Sequence, residues 1–229
     1  MRFNLPRQEI APELIAFGSK KIRKDKIYVP RATKKDLRGI AAICREIQKS
    51  GLPKHLVLKK LKGKLGHGIF LHPKASPIRK GEVIAPYSGV VLLAPQNDGG
   101  PSDYAFSLFP DLLLTREEQR AFDPESKYHP RRLYSLDLDA DKKGNFTRFI
   151  NHSAKPNVEA HLLRIPSNSL GVPPAPFEII YIASKDIQPG EQILVCYEDG
   201  EKSYWGVLKI KPFPMTPKTF QLDASLKFK

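Results

Sequence analysis

The chain has 229 residues, 41% hydrophobic and 27% charged, with a formal net charge of +14 and two cysteines, Cys44 and Cys196. That length can bury one sizeable core, no apolar run approaches the ~18 residues of a membrane span, and two cysteines without Cys-x-x-Cys spacing exclude a disulfide framework or a cysteine zinc cluster. The basicity sits at one end: residues 1–64 hold 18 Lys and Arg against 5 Asp and Glu, a net +13, whereas residues 65–229 hold 20 against 19.

Residues 1–33 contain Pro6, Pro12 and Pro30 and the charged run Lys20 to Lys26, with little apolar periodicity before Ile27-Tyr28-Val29, so an extended or partly ordered arm is expected. The opening residues lack the continuous apolar stretch of a cleaved secretory signal, and a reducing cytoplasm is the expected setting. Thr33 is positioned to cap a helix of about 17 residues in which Leu37, Ile40, Ala41, Ile43, Cys44 and Ile47 recur at helical spacing, with Gly51 and Pro53 as the stop. Its apolar stripe must face either the rest of the chain or a second copy, which makes a homodimer an expectation. The basic residues around it suit either phosphate contacts with DNA or a plainly solvated face. No aromatics interleave with them as on single-stranded nucleic-acid platforms.

From Leu56 the texture changes to short apolar runs broken by Gly, Pro and Ser, which predicts a β-rich domain. Expected strands are Val57–Leu61, Gly68–Leu71, Val83–Pro86, Val90–Leu93, Tyr104–Leu108, Leu133–Leu138, Val158–Ile165, Ile179–Ile182 and Ile193–Tyr197. Residues 94–103 and 109–132 are expected loops, the second with a helical turn from Thr115 to Phe122 that Thr115 caps and Glu118 closes. A proline-rich insertion spans Pro166 to Pro176. Three parts follow: a basic extension with one amphipathic helix over 1–55, a β-rich domain over 56–199, and an aromatic flank over 200–229 that carries Tyr204, Trp205, Phe213 and Phe220.

The most informative stretch is Gly144 to Asn157, GNFTRFINHSAKPN. Asn145 to Ile150 alternates as a short half-buried strand would, Asn151, His152 and Ser153 then gather polar side chains, and Lys155-Pro156 cannot continue as helix. Three other segments accompany it: Gly66-His67-Gly68, Pro86-Tyr87-Ser88-Gly89, and Asp186 to Tyr197, in which Pro189-Gly190 makes a tight turn before a strand ending in tyrosine. The first is not a dinucleotide fingerprint, because Leu71 stands where the third glycine belongs. Taken singly, each has an ordinary reading as a hairpin turn, a loop or a core tyrosine. Together, in this order over residues 65 to 205, they resemble the SET-domain protein lysine methyltransferases.

That resemblance implies a mainly β fold, a β-clip of small sheets with a pseudoknot, plus the helical N-terminal extension. It implies an S-adenosylmethionine-dependent protein-lysine N-methyltransferase acting on histones or histone-like nucleoid proteins. Matched position by position, Gly66, His67, Gly68, Asn151 and His152 correspond to residues that hold the cofactor, and Arg148 and Phe149 lead into that turn. Tyr197 corresponds to the active-site tyrosine. Tyr87, Tyr104, Tyr204 and Trp205 are candidates for walls of the lysine channel, Tyr104 also adjoining the cofactor. Ala154 stands where many relatives carry a zinc-binding cysteine, so no metal is expected. Val195 stands where some relatives carry Phe or Tyr, so the number of methyl groups added does not transfer. The chain is similar to the small SET proteins of intracellular bacteria such as chlamydiae. That kinship implies a bacterial effector, cytoplasmic or delivered to a host nucleus, with a lysine-rich protein substrate. The alternative is a DNA- or chromatin-associated binding protein with an inactive SET domain.

Overall fold

The computed structural model describes residues 5–24, 28–61, 66–96, 102–125, 127–165 and 177–197. The proline-rich insertion and the aromatic flank with Tyr204 and Trp205 lie outside the described residues.

The N-terminal region differs most from expectation. It is no extended arm: Pro12–Lys24 forms a helix, α1, whose Leu14 and Phe17 are buried. Phe17 meets Phe122 edge to face at 5.5 Å, a tertiary contact that outweighs the charged residues of the same helix. Ahead of α1, Arg7 is buried in an ion pair with Glu178, and Gln8 Nε2 donates to the Phe177 carbonyl at 2.7 Å. These residues are therefore built into the same core as the strands.

The second helix, α2 (Lys34–Ser50), matches the expectation. Thr33 Oγ1 accepts from the Asp36 N–H, the Asp36 carboxylate accepts from the Thr33 N–H at 2.7 Å, and Gly51 closes the other end. Ile40, Ile43, Cys44 and Ile47 are buried. Ile40 and Cys44 pack with Leu163, Ile165 and Ile180 of the same chain. The stripe thus faces the chain's own strands and leaves no apolar face for a second copy, so the reason for expecting a dimer falls away. Burying each isoleucine contributes roughly 1.5–3 kcal/mol.

Three small sheets follow among the described residues, where strand outweighs helix. β1 (Leu56–Lys60) and β2 (His67–Leu71) form an antiparallel hairpin. β4 (Val90–Pro95), β5 (Ala105–Leu113) and β6 (Leu133–Asp139) form a second sheet in the order β4-β6-β5. β5 runs past the expected Leu108 and through Pro110. It is an edge strand whose register shifts on both sides of Phe109, where a missing N–H is tolerated. Between β5 and β6 the expected turn is α3 (Arg116–Phe122), with a Thr115–Glu118 capping box.

The third sheet positions the site. Its order is β3-β9-β8-β10-β7, where β3 is Val83–Pro86, β7 Asn151–His152, β8 Val158–Leu163, β9 Glu178–Ala183 and β10 Leu194–Val195. β10 pairs in parallel with β7 on one side and with β8 on the other. The chain from β7 to β8 therefore straddles a strand contributed from about forty residues later, which is the crossing expected of the pseudoknot. The segment before β7 is not the expected strand but a 3-10 turn, Phe146–Phe149. Asn145 Oδ1 accepts from the Thr147 N–H at 2.9 Å, and such a local side-chain bond competes with a ladder.

Candidate active site

The site grows from the way β10 is fastened. Asn157 is fully buried, and its side chain does the work of a backbone pair: Nδ2 donates to the Gln192 carbonyl and Oδ1 accepts from the Leu194 N–H, both at 2.8 Å. On the other flank the Ser153 N–H donates to the Val195 carbonyl at 2.9 Å. The chain emerging from β10 is then held twice more. Tyr197 N–H donates to His152 Nδ1 at 2.9 Å, and the Tyr197 hydroxyl donates to the Ile150 carbonyl. His152 is buried, so its side chain anchors the tyrosine backbone. The Asn151 segment and Tyr197, more than forty positions apart, are in contact.

On one side of this junction lie most of the residues matched to the cofactor. Asn151 Nδ2 donates to the His67 carbonyl at 2.8 Å, and the rings of His67 and Phe149 meet edge to face at 5.8 Å. Gly66 has φ 66°, a left-handed conformation that favours glycine. A Cβ on Gly68 would stand 2.6 Å from Gln192 Nε2 and 3.2 Å from Asn151 Nδ2, so any larger residue would push these two amides aside. Gln192 is fully buried, and neither end of its side-chain amide has a partner among the described residues.

On the other side is a cavity of about 700 Å³. Tyr87, Tyr104, Phe106, Tyr181, Val195 and Tyr197 supply its aromatic and apolar walls, and Asp103 and Glu159 are the carboxylates on its lining. Tyr104 and Tyr197 are partly exposed to it, at 36% and 39%. Tyr87 is buried, donates its hydroxyl proton to the Tyr104 carbonyl at 2.6 Å, and sits 5.7 Å from the Tyr181 ring. Burial pushes both phenols up, Tyr181 well above the usual tyrosine range, with the neighbouring tyrosines adding to the effect at Tyr181. Both therefore stay protonated and can position a ligand but not act as a base.

Arg148 borders this cavity. Its guanidinium donates to the Ala140 and Asp141 carbonyls at 2.6 Å each and covers the Tyr104 ring at 3.9 Å. The sequence-matched residues thus fall into two adjoining groups: Gly66, His67, Gly68, Phe149, Asn151 and His152 around the β7 turn, and Tyr87, Tyr104, Arg148 and Tyr197 on the cavity. Tyr197 belongs to both, lining the cavity and touching Ile150.

Sequence reasoning missed Tyr181, Phe106 and the clamp role of Asn157. Tyr181 offered one signal, a lone phenol in the apolar run Ile179–Ile182, and nothing local distinguishes it from a core residue. Among the described residues no group of three or more His, Cys, Asp and Glu is placed to hold a metal ion.

Comparison with known proteins agrees with this geometry. The family model described as SET domain matches residues 74–198, more than half of the chain. The H3 lysine-4 specific histone-lysine N-methyltransferase of Schizosaccharomyces pombe is 33% identical over 95 residues, 37% of this chain and 10% of its own. The H3 lysine-9 specific histone-lysine N-methyltransferase SUVH1 of Nicotiana tabacum is 32% identical over 123 residues, 53% of this chain and 16% of its own. The chain thus spans only a small part of the length of these curated relatives. Among solved structures, ATXR5 in complex with histone H3.1 mono-methylated on R26 superposes with a TM-score of 0.55 at 17% identity, covering 87% of this chain and 82% of that one. At that identity the likeness is one of fold.

Proposed function

The chain belongs to the SET-domain family, and on that premise we propose that it is a protein-lysine N-methyltransferase that uses S-adenosylmethionine and acts on histones or histone-like, lysine-rich proteins. The observation that carries the proposal is the junction at Tyr197, a residue that lines an aromatic-walled cavity of about 700 Å³ while its hydroxyl bonds the Ile150 carbonyl beside the Asn151 turn.

The residues around β7 fit the cofactor. Gly68 keeps the backbone bare where a Cβ would press on the amides of Asn151 and Gln192, and Gly66 supplies the left-handed turn beside it. Asn151 offers an amide carbonyl of the kind an ammonium group needs, and the Phe149 and His67 rings offer apolar faces beside it. When bound there, the cofactor supplies an electrophilic methyl group on a sulfonium.

The rest is the chain's own chemistry. A free lysine amine titrates near ~10.4 and is a nucleophile only when neutral. A channel walled by Tyr87, Tyr181 and Phe106 strips water from it, which favours the neutral form. The Tyr197 proton is committed to the Ile150 carbonyl, so its oxygen is left as an acceptor. It would take an N–H of the amine and leave the lone pair free to point at the methyl group, and orientation of this kind supplies much of a rate enhancement. Asp103 and Glu159 on the cavity lining suit a cationic substrate, as do the histone substrates named for the relatives.

The test is transfer of a radiolabelled methyl group from S-adenosylmethionine to histones and to a bacterial nucleoid protein. Tyr197→Phe and Asn151→Ala should each lower transfer by at least tenfold with folding retained. Wild-type protein that labels neither substrate, or a Tyr197→Phe variant as active as wild type, refutes the proposal.

A further inference from the structure

The outer face of α2 carries a feature that neither the fold nor the cavity explains. Lys34, Lys35, Arg38, Arg45 and Lys49 are all exposed. At about 100° per residue these five fall within an arc of roughly 100°, opposite the buried Ile40, Ile43 and Ile47, in a stripe about 22 Å long. Between them lie Ala41 and Ala42, small enough to let a ligand approach the helix closely.

The stripe is not neutralised locally. Asp36 and Glu46, the acidic residues of α2, are committed elsewhere: Asp36 takes the Thr33 N–H and hydroxyl in the capping box, and Glu46 takes the Lys54 N–H at 3.0 Å. None of the five cations is in an ion pair among the described residues. Helix stability accounts for Lys49 in the last turn but not for the cations at the other end. Lys34 and Lys35 sit in the first turn, where the helix dipole disfavours positive charge. A row of unanswered cations, two of them set against the helix dipole, is best explained by a ligand.

We propose that this face of α2 binds the phosphate backbone of duplex DNA without reading its sequence. The match is one of charge and shape: a regular array of cations on a cylinder that fits the major groove, without the aromatic platforms that single strands require. The site stands on charge and placement alone and goes beyond the methyl-transfer reading. It also narrows the expected DNA contact from the basic N-terminal extension, residues 1–55, to one face of α2.

The test compares full-length wild type with two variants of equal net charge, one carrying Lys34→Gln, Arg38→Gln, Arg45→Gln and Lys49→Gln, the other Lys74→Gln, Lys127→Gln, Lys142→Gln and Lys185→Gln. Binding to a fluorescent duplex of about 20 base pairs is followed between about 50 and 200 mM salt. With five phosphate contacts, wild-type affinity should fall about 500-fold across that range, and the α2 variant should lose a slope of about 3.6 in log affinity against log salt. The second variant should keep most of both. Equal losses in the two variants would overturn the proposal, as would a wild type whose binding ignores salt. Displacement of the DNA by polyglutamate at equal charge concentration would also overturn it, since the face would then take any polyanion, acidic proteins included.

Discussion

Asn157→Ala should separate the clamp on β10 from everything else in the fold. The substitution removes both side-chain bonds to that segment and leaves the Gln192 carbonyl and the Leu194 N–H without partners in an interior where Leu194 is 0% exposed. A buried backbone group deprived of its partner costs about 1–3 kcal/mol, so the pair should cost about 2–6 kcal/mol. That is a large share of the ~5–15 kcal/mol that holds a domain together. Urea denaturation followed by circular dichroism would report it as a midpoint lowered by about 1–3 M with the slope unchanged. Asn157→Asp, which keeps the acceptor for Leu194, should fall between wild type and the alanine variant in acid, where the carboxyl is protonated. Asn151→Ala, at a half-buried position with a bond to the His67 carbonyl, should cost only about 0.5–1.5 kcal/mol while lowering methyl transfer more steeply. If Asn157→Ala shifted stability by less than about 0.5 kcal/mol, or no more than Asn151→Ala, the idea that this side chain fastens β10 would be wrong.

Arg7→Met strands the Glu178 carboxylate in the interior and should cost about 3–5 kcal/mol, whereas the double variant Arg7→Met with Glu178→Leu should recover most of it; equal midpoints for the two would count against a buried pair. Asp137 is raised above its ordinary value near 3.8, chiefly by burial, with the hydroxyls of Ser135 and Ser107 opposing the shift. The folded state thus holds this proton more tightly than the unfolded state, and the stability it contributes in acid is lost as pH rises above that value. Asp137→Asn should accordingly be more stable than wild type near neutrality, with the gap closing towards about pH 3, and a gap independent of pH would refute the assignment. Burial pushes the Cys44 thiol up to about 12, whereas Cys196 is exposed. One thiol per chain should react with a disulfide reagent at mildly alkaline pH in the native protein and both after unfolding, as free-thiol titration would show.

Much of the architecture was legible in local pattern. The Thr33 and Thr115 capping boxes, the spacing of Ile40, Ile43 and Ile47, and the Pro189-Gly190 turn each depend on neighbours within a few positions, so α2, α3 and most strands were placed from those positions alone. The same holds for the segments at Gly66, Tyr87, Asn151 and Tyr197, whose order along the chain pointed to a SET domain. Other features depend on partners distant in sequence. Leu14 and Phe17 lie in a charged, proline-flanked stretch whose helix is stabilised by packing against the rest of the core. The 3-10 turn at Phe146–Phe149 replaces an apparent strand because Asn145 bonds locally instead of joining a ladder. Tyr181 reads as one more apolar residue until the sheet order turns it towards the cavity.

By itself the sequence determined which elements form, because capping and hydrophobic periodicity are matters of adjacent residues. Only the tertiary structure decided that β10 slots between β7 and β8, that the stripe of α2 is spent on its own strands while its cations face outward, and that the Tyr197 hydroxyl meets the Ile150 carbonyl. Those are pairings between residues tens of positions apart, chosen by the burial of side chains and the satisfaction of backbone hydrogen bonds across the whole core, and no local window contains both partners.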